Sequence, residues 1–397
     1  MATAQPSPVS RVLSIDLIRG AIMVLMAIDH VRVFAGVPAG GPDIGIFFTR
    51  WVTHFCAPGF VFLAGTSAFL YGRRHSDLPQ FLLTRGAWLV FLELTFLRLA
   101  WTFNFDFAHY EMAGVIWAIG WCMILTAGIV KLPLKLVGVI GVVIIAGHNL
   151  LDSTLWELSD SLGNDVGSAL WKIMYVGFYA GPISLGTEGP NLIVLYSIVP
   201  WIGVMAAGYG FGTVLGLDPS KRNRYCLAIG LGATALFVIL RGFNLYGDPI
   251  VWGPASEYSN LPSSLSFLNT TKYPASLSFL LMTLGPSIAL IPVLERARGW
   301  LADAMALFGR VPFFFYMLHI PLIHLLALGV SIITLGEVSG WLFENHPMGS
   351  SRAPDGYRWG LSTLYLVWAG TIVILYYACR WFADLKSKRS EWWLKYL

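Results

Sequence analysis

Charge is what this sequence has least of. Of 397 residues only 12% are Asp, Glu, Lys or Arg, against about 25% in an ordinary soluble domain, and a soluble globular chain is excluded on that ground. Cysteine is scarce as well. Cys56, Cys122, Cys226 and Cys379 lie far apart, each in or beside an apolar run and none in a CxxC pair. That spacing argues against a disulfide or metal framework and reads as four small core residues. No block of basic residues is interleaved with aromatics, and the formal net charge is +4, so nucleic acid is not an expected partner. No repeat with a period of about 20–50 residues is visible, and matching broken segments in two halves are not found either.

What the chain does have is apolar surface: 56% hydrophobic residues, 14% aromatic and a mean hydropathy of +0.66. Apolar runs lie at 17–36, 47–71, 86–103, 112–130, 134–151, 191–215, 225–241, 276–294, 311–335 and 360–382, and a membrane span takes about 20 such residues. The fold class expected is therefore all-α: a polytopic integral membrane bundle of about ten transmembrane helices, forming a single domain over 1–397. The stretch 168–186 is short, rich in aromatics and Gly and flanked by acids. It reads as an interfacial or re-entrant piece.

Basic residues in the loops set the orientation. With the N-terminus in the cytoplasm, the inner face collects most of the Lys and Arg, among them Arg11, Arg19, Arg73, Arg74, Arg85, Lys131, Lys135, Lys221, Arg222, Arg296, Arg310, Arg380 and Lys395. Both termini then face the cytoplasm, with 1–13 and 384–397 as cytoplasmic ends. Acids take the opposite loops, including Asp152, Glu157, Asp160, Asp165, Glu188, Asp248, Glu257, Glu337, Glu344 and Asp355. The long outer segments 152–190, 242–275 and 336–359 are rich in Gly, Pro, Asn, Ser and Trp, a composition suited to a polar substrate. A cleavable signal peptide is disfavoured because Asp29, His30 and Arg32 fall where such a peptide is apolar or small.

Ionisable residues inside a span are costly and are functional candidates by default. The first helix starts near Ser14, so at about 1.5 Å per residue Asp29 and His30 lie roughly 20 Å further out, in the outer half of the bilayer. Arg32 is near the outer interface. By the same rise, His54 lies roughly 10 Å below the outer surface in the second span. It precedes Cys56, Ala57, Pro58 and Gly59, where a kink is expected. Glu93 and Arg98 in the third span are expected to form an ion pair, since an unpaired charge in lipid costs more. His148 and Asn149 end the fifth span on that same side. Asp29 and His30 are adjacent and point about 100° apart on a helix, so neither simply neutralises the other. His319 and His324 in the ninth span are poorly spaced to chelate a metal, and a polar seam is the better reading.

The segment from Arg11 to Gly20 (RVLSIDLIRG), continued by Met26 to Arg32 (MAIDHVR), resembles the opening of the heparan-alpha-glucosaminide N-acetyltransferase catalytic-domain family. Pro58 to Ser67 (PGFVFLAGTS) fits it too, as do Gly309, Arg310, Tyr316 and His319 in the ninth span. This last group is also similar to a segment of other integral-membrane acyltransferases. The resemblance implies an acetyltransferase that takes its acetyl group from cytosolic acetyl-CoA and passes it across the membrane to the amino group of a terminal glucosamine or related glycan. One departure is plain. The lysosomal member of the family has asparagine at the position matching Asp29, and its proposed active histidine lies in the following loop, where this chain has Gly40, Gly41, Pro42, Asp43 and Ile44.

Within that resemblance the expected catalytic residues are His30 as general base or transient acetyl carrier, Asp29 orienting it or the acceptor, and His54 as second candidate for the base. Arg19, Arg73, Arg74, Arg310 and His319 are assigned to acetyl-CoA, and Arg32, Glu93 and Arg98 to the acceptor. Arg32 or the amides near Pro58 and Gly59 are the oxyanion donors expected. No metal is called for. Lipids, the acetyl-CoA donor and a sugar or glycan acceptor are the partners expected, a homodimer is allowed for, and the location is a bacterial inner membrane. A proton-coupled transporter or flippase of a polar envelope component is the alternative reading of the same buried charges.

Overall fold

The computed structural model describes residues 13–152, 161–163, 165–187, 189–253, 261–345, 353–389, 391 and 394. Arg11, Glu157, Asp160, Glu188, Glu257 and Lys395, all used in the orientation argument, lie outside them, as do 1–12 and most of the chain beyond 389. Eleven helices carry the architecture: α1 Leu13–Phe34, α2 Ile44–Gly72, α3 Leu78–Thr102, α4 Val115–Ile129, α5 Leu134–Leu151, α6 Ile198–Leu215, α7 Pro219–Gly242, α8 Leu277–Leu294, α9 Trp300–Arg310, α10 Pro312–Leu335 and α11 Leu361–Lys388. Eight of them, α2, α3, α5, α6, α7, α8, α10 and α11, are long and apolar enough to cross a membrane. α4 is shorter, at 15 residues. α1 has the length but carries Asp16, Arg19, Asp29 and Arg32. The protein is an all-α integral membrane bundle.

α1 is the axis of the bundle. It packs against α2, α9, α10 and α11, and its buried positions run round the whole helix rather than along one stripe, as expected of a helix with no face to lipid or water. Close packing rests on glycine. A Cβ on Gly20 would stand 1.9 Å from the Met305 carbonyl oxygen, and one on Gly309 would stand 1.9 Å from that of Asp16, so the α1–α9 crossing admits no side chain at either position. Gly65 and Gly208 do the same for α2 against α6.

The sequence-derived spans shift where turn chemistry intervenes. Residues 112–130 and 191–215 do not start as helix. Glu111–Ala113 (β1) and Asn191–Val194 (β3) pair in parallel, and Ile183–Ser184 (β2) joins β3 antiparallel. α6 starts only after Ser197, whose extended backbone opens it, with Pro200 in its first turn. α3 begins eight residues earlier than its apolar run, behind Pro79. The expected irregularity in α2 is a 3-10 turn over Val52–Phe55. Its cause is Pro58, which has no N–H to give the carbonyl one turn back. A π turn over Glu93–Leu97 interrupts α3. The stretch 168–186 is a helix at Val166–Trp171, a π turn, a 3-10 turn and β2 in succession, with no continuous helix of spanning length. α9 was not anticipated as an element of its own. All four cysteines are free and buried.

Candidate active site

Two histidines far apart in sequence meet where the last turns of α1 pass the first half of α10. The Nδ1 of His30 lies 2.6 Å from Nε2 of His319, with the rings stacked at a centroid distance of 4.8 Å. The other nitrogen of His319, Nδ1, is 2.5 Å from the Tyr316 carbonyl oxygen. A carbonyl only accepts, so His319 Nδ1 carries a proton and its Nε2 is the acceptor. His30 therefore donates from Nδ1 and keeps a lone pair on Nε2. The pair defines one basic nitrogen.

That nitrogen belongs to a ring lining a small cavity of about 30 Å³, together with Met26, Asp29, Thr53, Cys56, Ala57, Phe60, Val115, Tyr196 and Lys272. Two larger cavities flank it. One, of about 340 Å³, lies toward the ends of α1, α2 and α3 that meet the basic loops; Arg19, Ser67, Tyr71, Arg85, Phe313 and Tyr316 line it along with many apolar side chains. The other, of about 260 Å³, lies at the opposite end, among Gly40, Gly41, Arg50, Trp51, His54, Lys272 and Tyr273. Phe60 is common to the first cavity and the small one, and Lys272 to the small one and the third. The small cavity thus lies as a neck between the two chambers, with His30 among its lining residues.

A profile described as heparan-alpha-glucosaminide N-acetyltransferase, catalytic, matches residues 11–243. The chain belongs to that family. No curated protein matches it. As a membrane acetyltransferase, it completes its site from beyond the matched region: Lys272 of the neck, Tyr273 of the adjoining chamber and His319 behind His30 all lie after residue 243.

The sequence-assigned residues separate into three groups. Asp29 and His30 line the neck, and His54 lines the outer chamber, the one at the end opposite the basic loops; the chamber at the basic end is the inner one. Asp29, however, binds Arg32 Nε at 2.8 Å and lies 3.9 Å from Arg50 Nε; His30 takes its orientation from His319, consistent with the roughly 100° between adjacent helical positions. His54 is 6% exposed, and its Nδ1 has no hydrogen-bond partner among the described residues. Arg32 also donates to the Val37 carbonyl at 2.7 Å, so its guanidinium closes the end of α1 rather than facing the neck. His319, assigned to the donor from sequence, stands behind His30. Arg19 lines the inner chamber but is held by Ser67 Oγ at 2.9 Å, the Gly309 carbonyl at 3.1 Å and Asp16 at 3.4 Å. Arg73, Arg74 and Arg310 are exposed on the same side. Pro58 has no N–H to offer an oxyanion, and Gly59 lies within helical backbone.

The expected Glu93–Arg98 ion pair does not form among the described residues. The π turn sends the two side chains apart. Glu93 accepts from the Trp117 N–H at 3.1 Å, placing its carboxylate at the N-terminus of α4, where orphan amides and the helix dipole favour an anion. Gly114 leaves it room, since a Cβ there would lie 2.6 Å from Oε1. Arg98 instead gathers the loop after α3, donating to the carbonyls of Tyr110, Asn104 and Asp106 and to Thr102 and Asn345. Glu111 of β1 lies in the field of Arg98, yet burial dominates and raises its carboxyl to about 7.

Sequence reasoning missed Arg50, Lys272, Tyr196 and Tyr273. Lys272 is 7% exposed and reaches the neck because Asp248 pins its loop, accepting from Thr271 N, Thr271 Oγ and Ser276 Oγ at 3.1, 2.8 and 2.9 Å. Arg241 holds Asp248 at 3.6 Å and caps the carbonyls of Ser266, Phe267 and Asn269. Lys272 Nζ sits 5.7 and 5.1 Å from the ring centroids of Tyr196 and Tyr273. Burial alone would raise the Tyr273 phenol, but the Lys272 and Arg50 cations beside it bring it below its ordinary value. The sequence held one signal: a lysine, Lys272, in the outer segment 242–275, whose other charges are the acids Asp248 and Glu257.

Proposed function

We propose that this protein transfers an acetyl group from cytosolic acetyl-CoA to the amino group of a glucosamine-type sugar or glycan on the extracytoplasmic side of a bacterial inner membrane. The basic-loop face is taken as cytoplasmic. The observation that carries the reading is the lone pair of His30 Nε2 at a neck between two chambers at opposite ends of the bundle.

The inner chamber has an apolar wall suited to the pantetheine arm, with Arg85 among its lining residues and Arg73, Arg74 and Arg310 on that face for the nucleotide phosphates. The acceptor enters from the outer chamber. Its amine nitrogen attacks the thioester carbonyl carbon while His30 Nε2 takes the amine proton, and the C–S bond then breaks and the departing CoA sulfur receives that proton back from His30. During the step His30 is an imidazolium donating from Nδ1 to His319. Lys272 and Tyr196 are lining residues of the same neck, and the Lys272 ammonium and Tyr196 hydroxyl are the donors proposed for the oxyanion. Asp29 holds Arg32 in place and so shapes the acceptor side.

The test measures transfer of labelled acetyl from acetyl-CoA to glucosamine by the purified protein. His30→Ala is expected to lower the rate by about 10²- to 10⁴-fold, the contribution of a positioned base. Full activity in His30→Ala would remove the mechanism, and a comparable loss in His54→Ala alone would move the base to His54. Movement of glucosamine into liposomes with no thioester consumed would favour the transporter reading.

A further inference from the structure

The end of α5 carries a polar cluster that the proposed reaction does not use. Tyr175, in the π turn after the short helix Val166–Trp171, is fully buried. Its hydroxyl oxygen lies 2.6 Å from the His148 carbonyl oxygen and 2.8 Å from Asp152 Oδ1. A phenol has one proton to give. The carbonyl only accepts, so the phenol proton goes there, and a second proton is needed between the phenol oxygen and Oδ1. His148 Nδ1, 3.2 Å from the same hydroxyl, cannot put a proton on that line. The contact calls for a neutral Asp152 carboxyl that donates from Oδ1, while Oδ2 accepts from Asn149 Nδ2 at 2.7 Å. An ionised Asp152 would set two acceptors against a single hydroxyl proton.

The surroundings favour the neutral acid. Burial raises the Asp152 carboxyl above its ordinary 3.8 and the Asp248 carboxylate pushes the same way, against the hydrogen bonds from Asn149 and Tyr175. The other groups facing it are His148 and Tyr246, whose hydroxyl donates to the Ala146 carbonyl at 2.7 Å. Among the described residues, no Lys or Arg stands near enough to hold the carboxylate. What the cluster ties together bears on the site. Past Tyr175 the chain turns at Gly177, with φ +68°, which sets the Phe178 ring 5.8 Å from that of Tyr273 and Tyr179 in the wall of the outer chamber. On the other side, Asn149 Oδ1 accepts from the Leu277 N–H at 2.8 Å, at the start of α8.

We propose that Asp152 is a proton-operated latch: with its proton it pins the segment 166–180 to α5 and holds that wall of the outer chamber in place, and without it the segment loosens. Asp152 is half-buried, so the proton passes directly to the solution on the outer side. Because the latched form holds the proton more tightly than the open one, latching is favoured at acid pH and weakens as pH rises. The consequence for the acceptor rests on the outer chamber receiving it, as proposed above; the latch itself does not.

The test is amide hydrogen exchange of the detergent-solubilised full chain, read by mass spectrometry on peptides from 166–180. Protection is taken relative to the same peptides in the unfolded protein, so that the intrinsic pH dependence of exchange cancels. In the wild type it is expected to fall about ten- to a hundredfold from acid to alkaline pH, the range of one buried hydrogen bond exchanged for an unsatisfied acceptor. Asp152→Asn donates to Tyr175 and accepts from Asn149 as the neutral acid does, and is expected to stay protected throughout. Tyr175→Phe is expected to show low protection at every pH. With glucosamine as acceptor, KM is expected to rise with pH more steeply in the wild type than in Asp152→Asn, a comparison in which titration of the substrate amine cancels. Flat protection in the wild type overturns the proposal, as does a pH-dependent loss that persists in Asp152→Asn, whichever group then causes it. If Asp152→Asn fails to fold, as judged by its melting curve, Tyr175→Phe decides: protection as high and as pH-dependent as in the wild type overturns the latch. Exchange needs no acetyl-CoA, so a switch without turnover would refute the enzymatic reading alone, and turnover without a switch would refute the latch alone.

Discussion

Replacing His319 with alanine isolates what the second histidine contributes. In the native protein the His30 Nδ1–H points at His319 Nε2 at 2.6 Å, and His319 is itself fixed by the Tyr316 carbonyl. When His30 becomes an imidazolium, that bond becomes a charge-assisted one, worth about 1.5–3 kcal/mol. Its loss from the transition state lowers the rate about 10- to 150-fold, less than loss of the base itself. His319 is fully buried, so alanine also opens a cavity, and the melting temperature must be followed alongside. His319→Gln keeps an acceptor oxygen and is expected to recover part of kcat. The assay is single-turnover transfer of labelled acetyl from acetyl-CoA to glucosamine, with His30→Ala, His319→Ala and the double variant compared. If the two rings act as a unit, the double variant is no slower than His30→Ala. Undiminished kcat in His319→Ala, or fully additive losses, would refute the reasoning.

Glu111 gives a pH signature: burial raises its carboxyl to about 7 in the folded protein, so its stabilising contribution is complete below the ordinary carboxyl range near 4.5 and is lost as pH rises through 7. Melting curves across that window should show the wild type losing ground to Glu111→Gln, and parallel curves would count against the assignment. Gly309→Ala places a methyl against the Asp16 carbonyl and is expected to cost about 1–3 kcal/mol by overpacking, whereas Gly128→Ala, with nothing within 4 Å, should leave the melting temperature unchanged or raise it. Glu93→Ala strands the Trp117 amide and is expected to cost about 1–3 kcal/mol, with Glu93→Gln milder. A KM effect for the acceptor without a stability loss would instead return Glu93 to the acceptor site.

How much of the site was readable depended on how local its cause was. Asp29 and His30 stood out because a carboxylate and an imidazole in an apolar helix have no local explanation. His54 stood out for the same reason. Glu93 and Arg98 were equally visible, but their partners were not: the π turn between them redirects one to the α4 amides and the other to a loop. Arg19 reads from sequence as one more basic residue on the inner face. Its bonds to Ser67 and Gly309 make it a clamp joining α1, α2 and α9, and three segments of the resembling motif meet there.

The sequence by itself determined the membrane class, most of the helices, the charge asymmetry of the loops and the family, because each of these follows from residue type and spacing along one stretch of chain. Helix packing alone decided that His319 stands behind His30, that Lys272 and Arg50 turn inward, and that a neck separates two chambers. These contacts join residues up to 289 positions apart. Their existence depends on how helices rotate and how closely glycines let them approach, quantities that no local stretch of sequence carries.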